Sequence, residues 1–240
     1  MTFRSICIAV YVFFYLIFTT PERIRLKKLE QTDPQKASRI AQEHVQKVFR
    51  HLLKISGVTI EVTGLENIPD EAALFVGNHS SYFDIIVTGA AIPGGVGFVA
   101  KDSLGNIPGL SSWMKRIHCL FLDRKDIRKG LQTILEGAEY LKEGYSMCIY
   151  PEGTRSINGE LGEFKGGSLK MAQKAKAPIV PVAIRGTRDI FENNPGLRVC
   201  PSHVTISFGT PFKISELPAA EKKFAGEHAK QAIADMLAQQ

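Results

Sequence analysis

The chain of 240 residues is long enough for one sizeable α/β domain with an appendage, and too short to favour two ordinary domains. Its formal net charge of +6 and pI near 9.1 suit an anionic partner, whether nucleic acid, an anionic membrane surface or a phosphorylated substrate, without choosing among them. The widely spaced Cys7, Cys119, Cys148 and Cys200 supply neither a zinc pair nor a dithiol redox motif, and they predict a reducing, cytosolic environment.

The first element is an uninterrupted apolar run from Ile6 to Phe18, rich in aromatics. A helix from Ser5 to Thr20 would extend about 24 Å against a hydrocarbon core of about 30 Å, so the run predicts entry into one leaflet. Phe18-Thr19-Thr20-Pro21 is a poor small-residue cleavage site, which argues against a signal peptide. Arg23, Arg25, Lys27 and Lys28 follow, and the positive-inside bias places the downstream chain on the cytoplasmic side.

Asp33-Pro34 then predicts an N-cap and first helical position. Ala37, Ile40, Ala41, Val45, Val48, Phe49, Leu52 and Leu53 recur at helical spacing up to Gly57, opposite Lys36, Arg39, Lys47, Arg50 and Lys54. Two readings fit: a basic amphipathic helix that joins the first in the membrane interface, or an ordinary helix packed on the soluble domain. The expected division is a membrane-anchoring segment over 1–57 and an α/β domain over 58–240.

From Val58 onward short apolar runs alternate with helical patterns, which predicts a largely parallel sheet flanked by helices. Strands are expected at Val58 to Val62, Leu74 to Val76, Gly97 to Ala100, Cys119 to Leu122, Met147 to Tyr150, Ile179 to Ile184 and Val204 to Phe208. Helices are expected near Tyr82 to Ala91, Asp126 to Lys142, Gly167 to Lys176 and Ala219 to Leu237.

Five of those strands run directly into polar residues: Asn78-His79, Lys101, Asp123-Arg124, Pro151-Glu152-Gly153-Thr154-Arg155 and Arg185-Gly186. In a parallel sheet these carboxyl ends lie together, and ligands of open α/β sheets bind in the crevice beyond them. A neutral imidazole there can accept a proton from an alcohol if a carboxylate holds its other ring nitrogen, and His79 with Asp84 offers that pair. The competing structural reading is that Ser81-x-x-Asp84 is a capping box that merely starts a helix. Lys101, Arg124 and Arg155 at one rim read as a phosphate pocket, with the arginines offering bidentate geometry. Glu152-Gly153-Thr154-Arg155 sets a carboxylate, a permissive glycine, a hydroxyl and a guanidinium behind a buried strand. No Gly-x-Ser-x-Gly elbow, Walker loop or His-Glu-x-x-His motif is present.

These blocks together resemble the glycerolipid acyltransferase family, which includes bacterial 1-acyl-glycerol-3-phosphate acyltransferases. The likeness rests on Asn78 to Asp84, Phe121-Leu122-Asp123-Arg124, Pro151-Glu152-Gly153-Thr154-Arg155 with Phe164-Lys165-Gly166, and Ile179-Val180-Pro181-Val182. Lys101-Asp102-Ser103-Leu104 departs from the family's Lys-x-Glu-Leu at Ser103, which leaves another lysophospholipid, glycerol 3-phosphate or a lysoaminolipid open as acceptor.

The resemblance implies that His79 deprotonates the acceptor's 2-hydroxyl and Asp84 orients it. Glu152 and Gly153 would position the acceptor or stabilise the oxyanion, and Lys101, Arg124 and Arg155 would hold the phosphate. It implies no bound cofactor or metal. Acyl-CoA or acyl carrier protein thioester would be the donor, and a membrane lipid the acceptor. The enzyme would sit monotopically on an anionic cytoplasmic membrane, with no nucleic-acid partner. Two rivals remain on the sequence: a membrane-bound lipid hydrolase, with His118 as a spare metal ligand, and a non-catalytic basic docking module.

Overall fold

The computed structural model describes residues 2–123 and 126–240, apart from the side chain of Ile127. Three helices lead the chain: α1 (Phe3–Phe18), α2 (Thr20–Leu29) and α3 (Pro34–Ser56). α1 and α2 meet at a bend of 48°. Pro21 has no N–H to continue the ladder, and the carbonyls this frees are taken locally. Arg23 Nη2 donates to the Leu16 carbonyl at 2.9 Å and the Thr20 hydroxyl to that of Ile17 at 2.7 Å.

Among the described residues no single helix is long and apolar enough to cross a membrane, although the bent pair reaches that threshold together. α2 carries Glu22, Arg23, Arg25, Lys27 and Lys28, charges that belong at an interface and not in hydrocarbon. α1 leaves Phe3, Ile6, Val10, Phe13, Phe14, Ile17 and Phe18 exposed on one side.

α3 is capped as the sequence indicates, with Asp33 Oδ1 accepting from Lys36 N at 3.0 Å and Gly57 closing it in the left-handed region at φ 74°. Its apolar stripe is used inside the protein. Ala41, Val45 and Leu53 share one core with strand residues Phe75, Val180 and Val182, and α3 packs chiefly on α4 (Phe83–Ala91). The reading of α3 as a helix with its apolar face in the membrane is therefore corrected: the two-helix segment is α1 with α2, and α3 is the ordinary packed helix.

Every expected strand is present, with ends within about a residue: β1 (Thr59–Thr63), β2 (Leu74–Gly77), β3 (Gly97–Lys101), β4 (Leu120–Leu122), β5 (Met147–Ile149), β6 (Ile179–Arg185) and β7 (His203–Phe208). They form one sheet in the order β1-β7-β6-β2-β5-β3-β4. β4, β3, β5, β2 and β6 are mutually parallel, while β7 runs antiparallel to β6 and β1 parallel to β7.

Alternation sorts the strand side chains into two layers. Phe75, Cys148, Val180 and Val182 face the N-terminal helices and α4. Leu74, Val76, Met147, Ile149 and Ile179 face α6 (Ile127–Lys142), α7 (Lys170–Ala175) and α8 (Ala225–Gln239). Both faces are covered, which is why the strands read as continuous apolar runs. α7 and α8 are shorter than the periodicity indicated, because Gly167 and the stretch from Pro218 to Phe224 form turns. A helix not foreseen, α5 (Leu110–Arg116), sits between β3 and β4 and buries Trp113.

Candidate active site

β2 ends at Gly77, and Asn78 ties the departing chain to β6. Its amide donates to the Ile184 carbonyl at 2.9 Å and accepts from the Ile184 N–H at 2.8 Å, both in the interior. His79 follows at the sheet's carboxyl edge. Its Nδ1 lies 2.9 Å from Asp84 Oδ2, with the carboxylate fully buried and the imidazole partly open. Nε2 has no hydrogen-bond partner among the described residues.

Asp84 does both jobs that the sequence left open. Oδ2 accepts the Ser80 and Ser81 N–H groups, each at 2.7 Å, as the returning half of a capping box, and also faces the imidazole. Oδ1 accepts the Thr187 hydroxyl at 2.5 Å. The other half of the box is absent: the Ser81 oxygen accepts from Phe83 N at 3.0 Å and donates to Glu192 Oε2 at 2.6 Å. A carboxylate that accepts four hydrogen bonds is fixed in place and keeps the imidazole in the tautomer with the proton on Nδ1.

The loop after β5 holds His79 by its backbone. Glu152 Oε1 accepts the His79 N–H at 2.7 Å, and the Ser156 N–H reaches the His79 carbonyl at 2.8 Å. Glu152 Oε2 accepts from Gly162 N at 3.0 Å, an approach that a Cβ on Gly162 would block at 2.8 Å. Burial raises the Glu152 carboxyl above its ordinary value, opposed by the two backbone donors. Both oxygens are occupied, so Glu152 stands as a clamp on His79 and has no proton to give an oxyanion while ionised.

Gly153 turns the chain at φ 72°, and a Cβ there would meet Lys165 Nζ at 2.6 Å. Its own N–H is already donated to the Tyr150 carbonyl at 3.0 Å, so it is not poised as an oxyanion donor. The Lys165 ammonium lies beside it. Arg155 is near the pair but engaged: Nη1 donates to Glu192 Oε1 at 2.9 Å and the guanidinium stacks 3.7 Å over the Tyr82 ring. One of five N–H donors is committed to that ion pair.

Lys101 is exposed at the end of β3, separated from β2 by β5. Phe98 is level with Cys148 and Val76 with Ile149, and both strands run on in the same direction, β3 to Lys101 beside Leu122 of β4 and β2 to Gly77 just before His79. The structure thus puts Lys101 at the same edge without bringing it into contact with His79. Arg124 lies outside the described residues.

Three contributors are missing from the sequence reading. The Tyr150 ring stacks on His79 with centroids 4.4 Å apart, and its buried hydroxyl pairs with Thr88 at 3.1 Å. Thr187 secures Asp84, and Glu192 links Ser81, the Tyr82 N–H and Arg155. Only the strand-end position of Tyr150 was a visible signal, since Thr187 lies 103 residues from Asp84, and Glu192 lies 111 and 110 residues from Ser81 and Tyr82 and 37 from Arg155.

His118 does not join this group. It bonds Ser38 at 2.8 Å and stacks on Tyr145 at 3.7 Å, and burial lowers its pKa to about 4. Beyond Gly153, on the α6 side, lies a cavity of about 380 Å³ whose walls include Val99, Leu122, Leu131, Ile134 and Ile149, with Lys165 at the rim.

The arrangement is an imidazole held by a carboxylate, with an apolar cavity beyond the neighbouring Gly153 and cations nearby. Comparison with known proteins gives the same direction. The family model described as Acyltransferase matches residues 59–185. A probable 1-acyl-sn-glycerol-3-phosphate acyltransferase of Mycoplasma pneumoniae is 30% identical over 198 residues, covering 81% of this chain and 74% of that protein. The 1-acyl-sn-glycerol-3-phosphate acyltransferase of Saccharomyces cerevisiae is 33% identical over 162 residues, covering 66% of this chain and 54% of its own. The crystal structure of a 1-acyl-sn-glycerophosphate acyltransferase from Thermotoga maritima superposes with a TM-score of 0.80 at 26% identity, covering 98% of this chain and 95% of that one.

Proposed function

Because this chain belongs to the acyltransferase family, we propose that it transfers a fatty acyl group from an acyl thioester to the 2-hydroxyl of 1-acyl-sn-glycerol 3-phosphate, giving phosphatidic acid for phospholipid synthesis. The observation that carries the chemistry is the His79–Asp84 pair, with Nδ1 held at 2.9 Å and Nε2 open at the sheet edge. Nε2 takes the acceptor's hydroxyl proton as the oxygen attacks the thioester carbonyl, and Asp84 stabilises the imidazolium that forms. The tetrahedral intermediate collapses with loss of the thiolate, which takes the proton back from Nε2. No acyl-enzyme is needed.

In this reading Lys165 neutralises the oxyanion in place of Gly153, Glu152 positions His79, and Lys101, Arg124 and Arg155 hold the acceptor's phosphate. The apolar cavity beside Gly153 accommodates acyl chain. The donor is acyl-CoA or acyl carrier protein thioester. α1 and α2 anchor the enzyme monotopically on the cytoplasmic face of an anionic membrane, with the exposed apolar side of α1 in one leaflet, and α3 packs as part of the transferase carried by residues 58–240.

The test is an acyl-transfer assay on membranes containing the protein, with lysophosphatidate, glycerol 3-phosphate and a lysoaminolipid offered in parallel against each donor. Phosphatidic acid from lysophosphatidate is the expected product. Exclusive use of another acceptor would replace the substrate, and a folded His79→Ala protein that still transfers acyl groups would remove the mechanism.

A further inference from the structure

A second cavity, of about 530 Å³, opens among the loop before α7, α7 itself and the start of α8. Pro151, Lys165, Gly166, Gly167, Ser168 and Lys170 line both this cavity and the apolar one beside Gly153, so a single wall of chain separates them. Pro151 immediately precedes Glu152, the clamp on His79. The second cavity thus begins one residue from the group that holds the His79 backbone.

Four lysines line it: Lys165 and Lys170 from one segment, Lys222 and Lys223 from the turn before α8, with Glu227 as the carboxylate among them. None of the four forms an ion pair among the described residues. Ammonium groups gathered around one concavity from segments about fifty residues apart repel one another, and an anion bound among them relieves that repulsion. Phe224 stands exposed at the same mouth, with the Lys223 ammonium 4.8 Å from its ring centroid. α8 begins there without a side-chain cap, and its first residues Ala225 and Gly226 line the cavity, so the positive end of its dipole borders the space.

We propose that this cavity binds the phosphorylated nucleotide end of a coenzyme A thioester. Lys170, Lys222 and Lys223 hold its phosphates and Phe224 stacks on its adenine, while the pantetheine arm runs past Pro151 to bring the thioester to His79, where Lys165 meets its carbonyl. The proposal rests on the acyl-transfer reading and names its donor. A concave pocket of about 530 Å³ with Phe164 and Phe224 in its lining has room for a nucleotide and not for a folded carrier protein. A lipid headgroup is disfavoured by position, since α7 and α8 cover the sheet face opposite the one on which α1 and α2 pack.

The experiment compares the full-length wild type with a K222E/K223E variant, at two exposed positions, after calorimetric melting has checked that both proteins fold alike. Calorimetry with adenosine 3′,5′-bisphosphate reports the site without chemistry. Kinetics with acyl-CoA and with acyl-pantetheine, which lacks the nucleotide, report its use. The wild type binds the bisphosphate and the variant loses roughly tenfold or more in affinity. The variant's KM for acyl-CoA rises by a similar factor with kcat and acceptor KM unchanged, and acyl-pantetheine does not distinguish the two proteins.

An unchanged acyl-CoA KM, or an equal loss on acyl-pantetheine, overturns the proposal. So does a wild type that ignores the bisphosphate and loses activity with acyl carrier protein thioester on charge reversal, which would assign the cavity to an acidic protein. Bisphosphate binding that K222E/K223E abolishes, in a chain that transfers no acyl group from any thioester, would support the nucleotide cavity and sink the acyl-transfer reading instead.

Discussion

Replacing Glu152 by glutamine separates a clamp from a substrate ligand. The carboxylate accepts two backbone N–H groups, from His79 at 2.7 Å and from Gly162 at 3.0 Å, in a site only 8% exposed. An amide of the same shape offers one acceptor and one donor, so one N–H is left facing an NH₂. Stranding a buried donor costs about 1–3 kcal/mol. Release of a carboxylate that burial disfavours offsets part of this, leaving about 1–2 kcal/mol, or a melting midpoint lower by roughly 2–8 °C for a chain of this size. The larger effect is on His79, whose backbone loses one anchor. A base displaced by about 1 Å costs on the order of 10²-fold in rate. Glu152→Gln is expected to lower kcat by about that factor and to leave the KM values for donor and acceptor near wild type. Steady-state kinetics with both substrates varied, alongside calorimetric melting, provide the check. A kcat within about twofold of wild type with a raised acceptor KM would mean that Glu152 touches the acceptor, and the clamp would be refuted.

Asp84→Asn keeps an acceptor for Nδ1 and the two backbone N–H groups but removes the charge that stabilises the imidazolium, so kcat is expected to fall about 10³–10⁴-fold in a folded protein. A variant that melts cooperatively yet loses less than about tenfold would deny the pair its role. Glu152 also sets a pH dependence of stability: burial raises its folded pKa, so the native state binds the extra proton and stability falls as pH rises from the ordinary glutamate range, about 4.3, through that raised value. Chemical denaturation across that interval should show the fall in the wild type and a flatter profile in Glu152→Gln, and parallel profiles would contradict it.

The sheet was legible because its strands are short apolar runs that end in polar residues, and the five that release His79, Lys101, Asp123, Glu152 and Arg185 are the mutually parallel ones. Local pattern could not decide Asp84, since a capping box and a His-Asp pair ask for the same carboxylate at the same helix start, and in the structure one oxygen meets both the Ser80 and Ser81 N–H groups and the imidazole. α3 was ambiguous for a related reason. An amphipathic stripe specifies that a face is buried without saying in what, and here Phe75, Val180 and Val182 supply the answer. Glu152 was visible as a residue but not as a clamp, because its partners are backbone N–H groups of His79 and Gly162, which carry no sequence signature. Thr187 and Glu192 were invisible, reaching the site only once β6 lies against β2.

The two layers of the sheet give the reaction a direction. The layer that includes α1 exposes aromatic and aliphatic side chains along a helix too short to span, whereas the layer that includes α7 and α8 gathers lysines around a cavity. β2 and β5 lie between them, and their carboxyl ends carry His79 and its clamp. An acceptor dissolved in lipid and a donor dissolved in water have no common solvent in which to meet. A sheet edge bounded by one layer of each kind lets both approach one imidazole without either leaving its own phase. The proposed division makes a testable demand: raising the ionic strength should weaken the acyl-CoA KM, through screening of Lys222 and Lys223, more than that for an uncharged acyl-pantetheine on the same vesicles. Equal salt sensitivity of the two donors would place the charge dependence on the acceptor side and remove the argument for opposed entry.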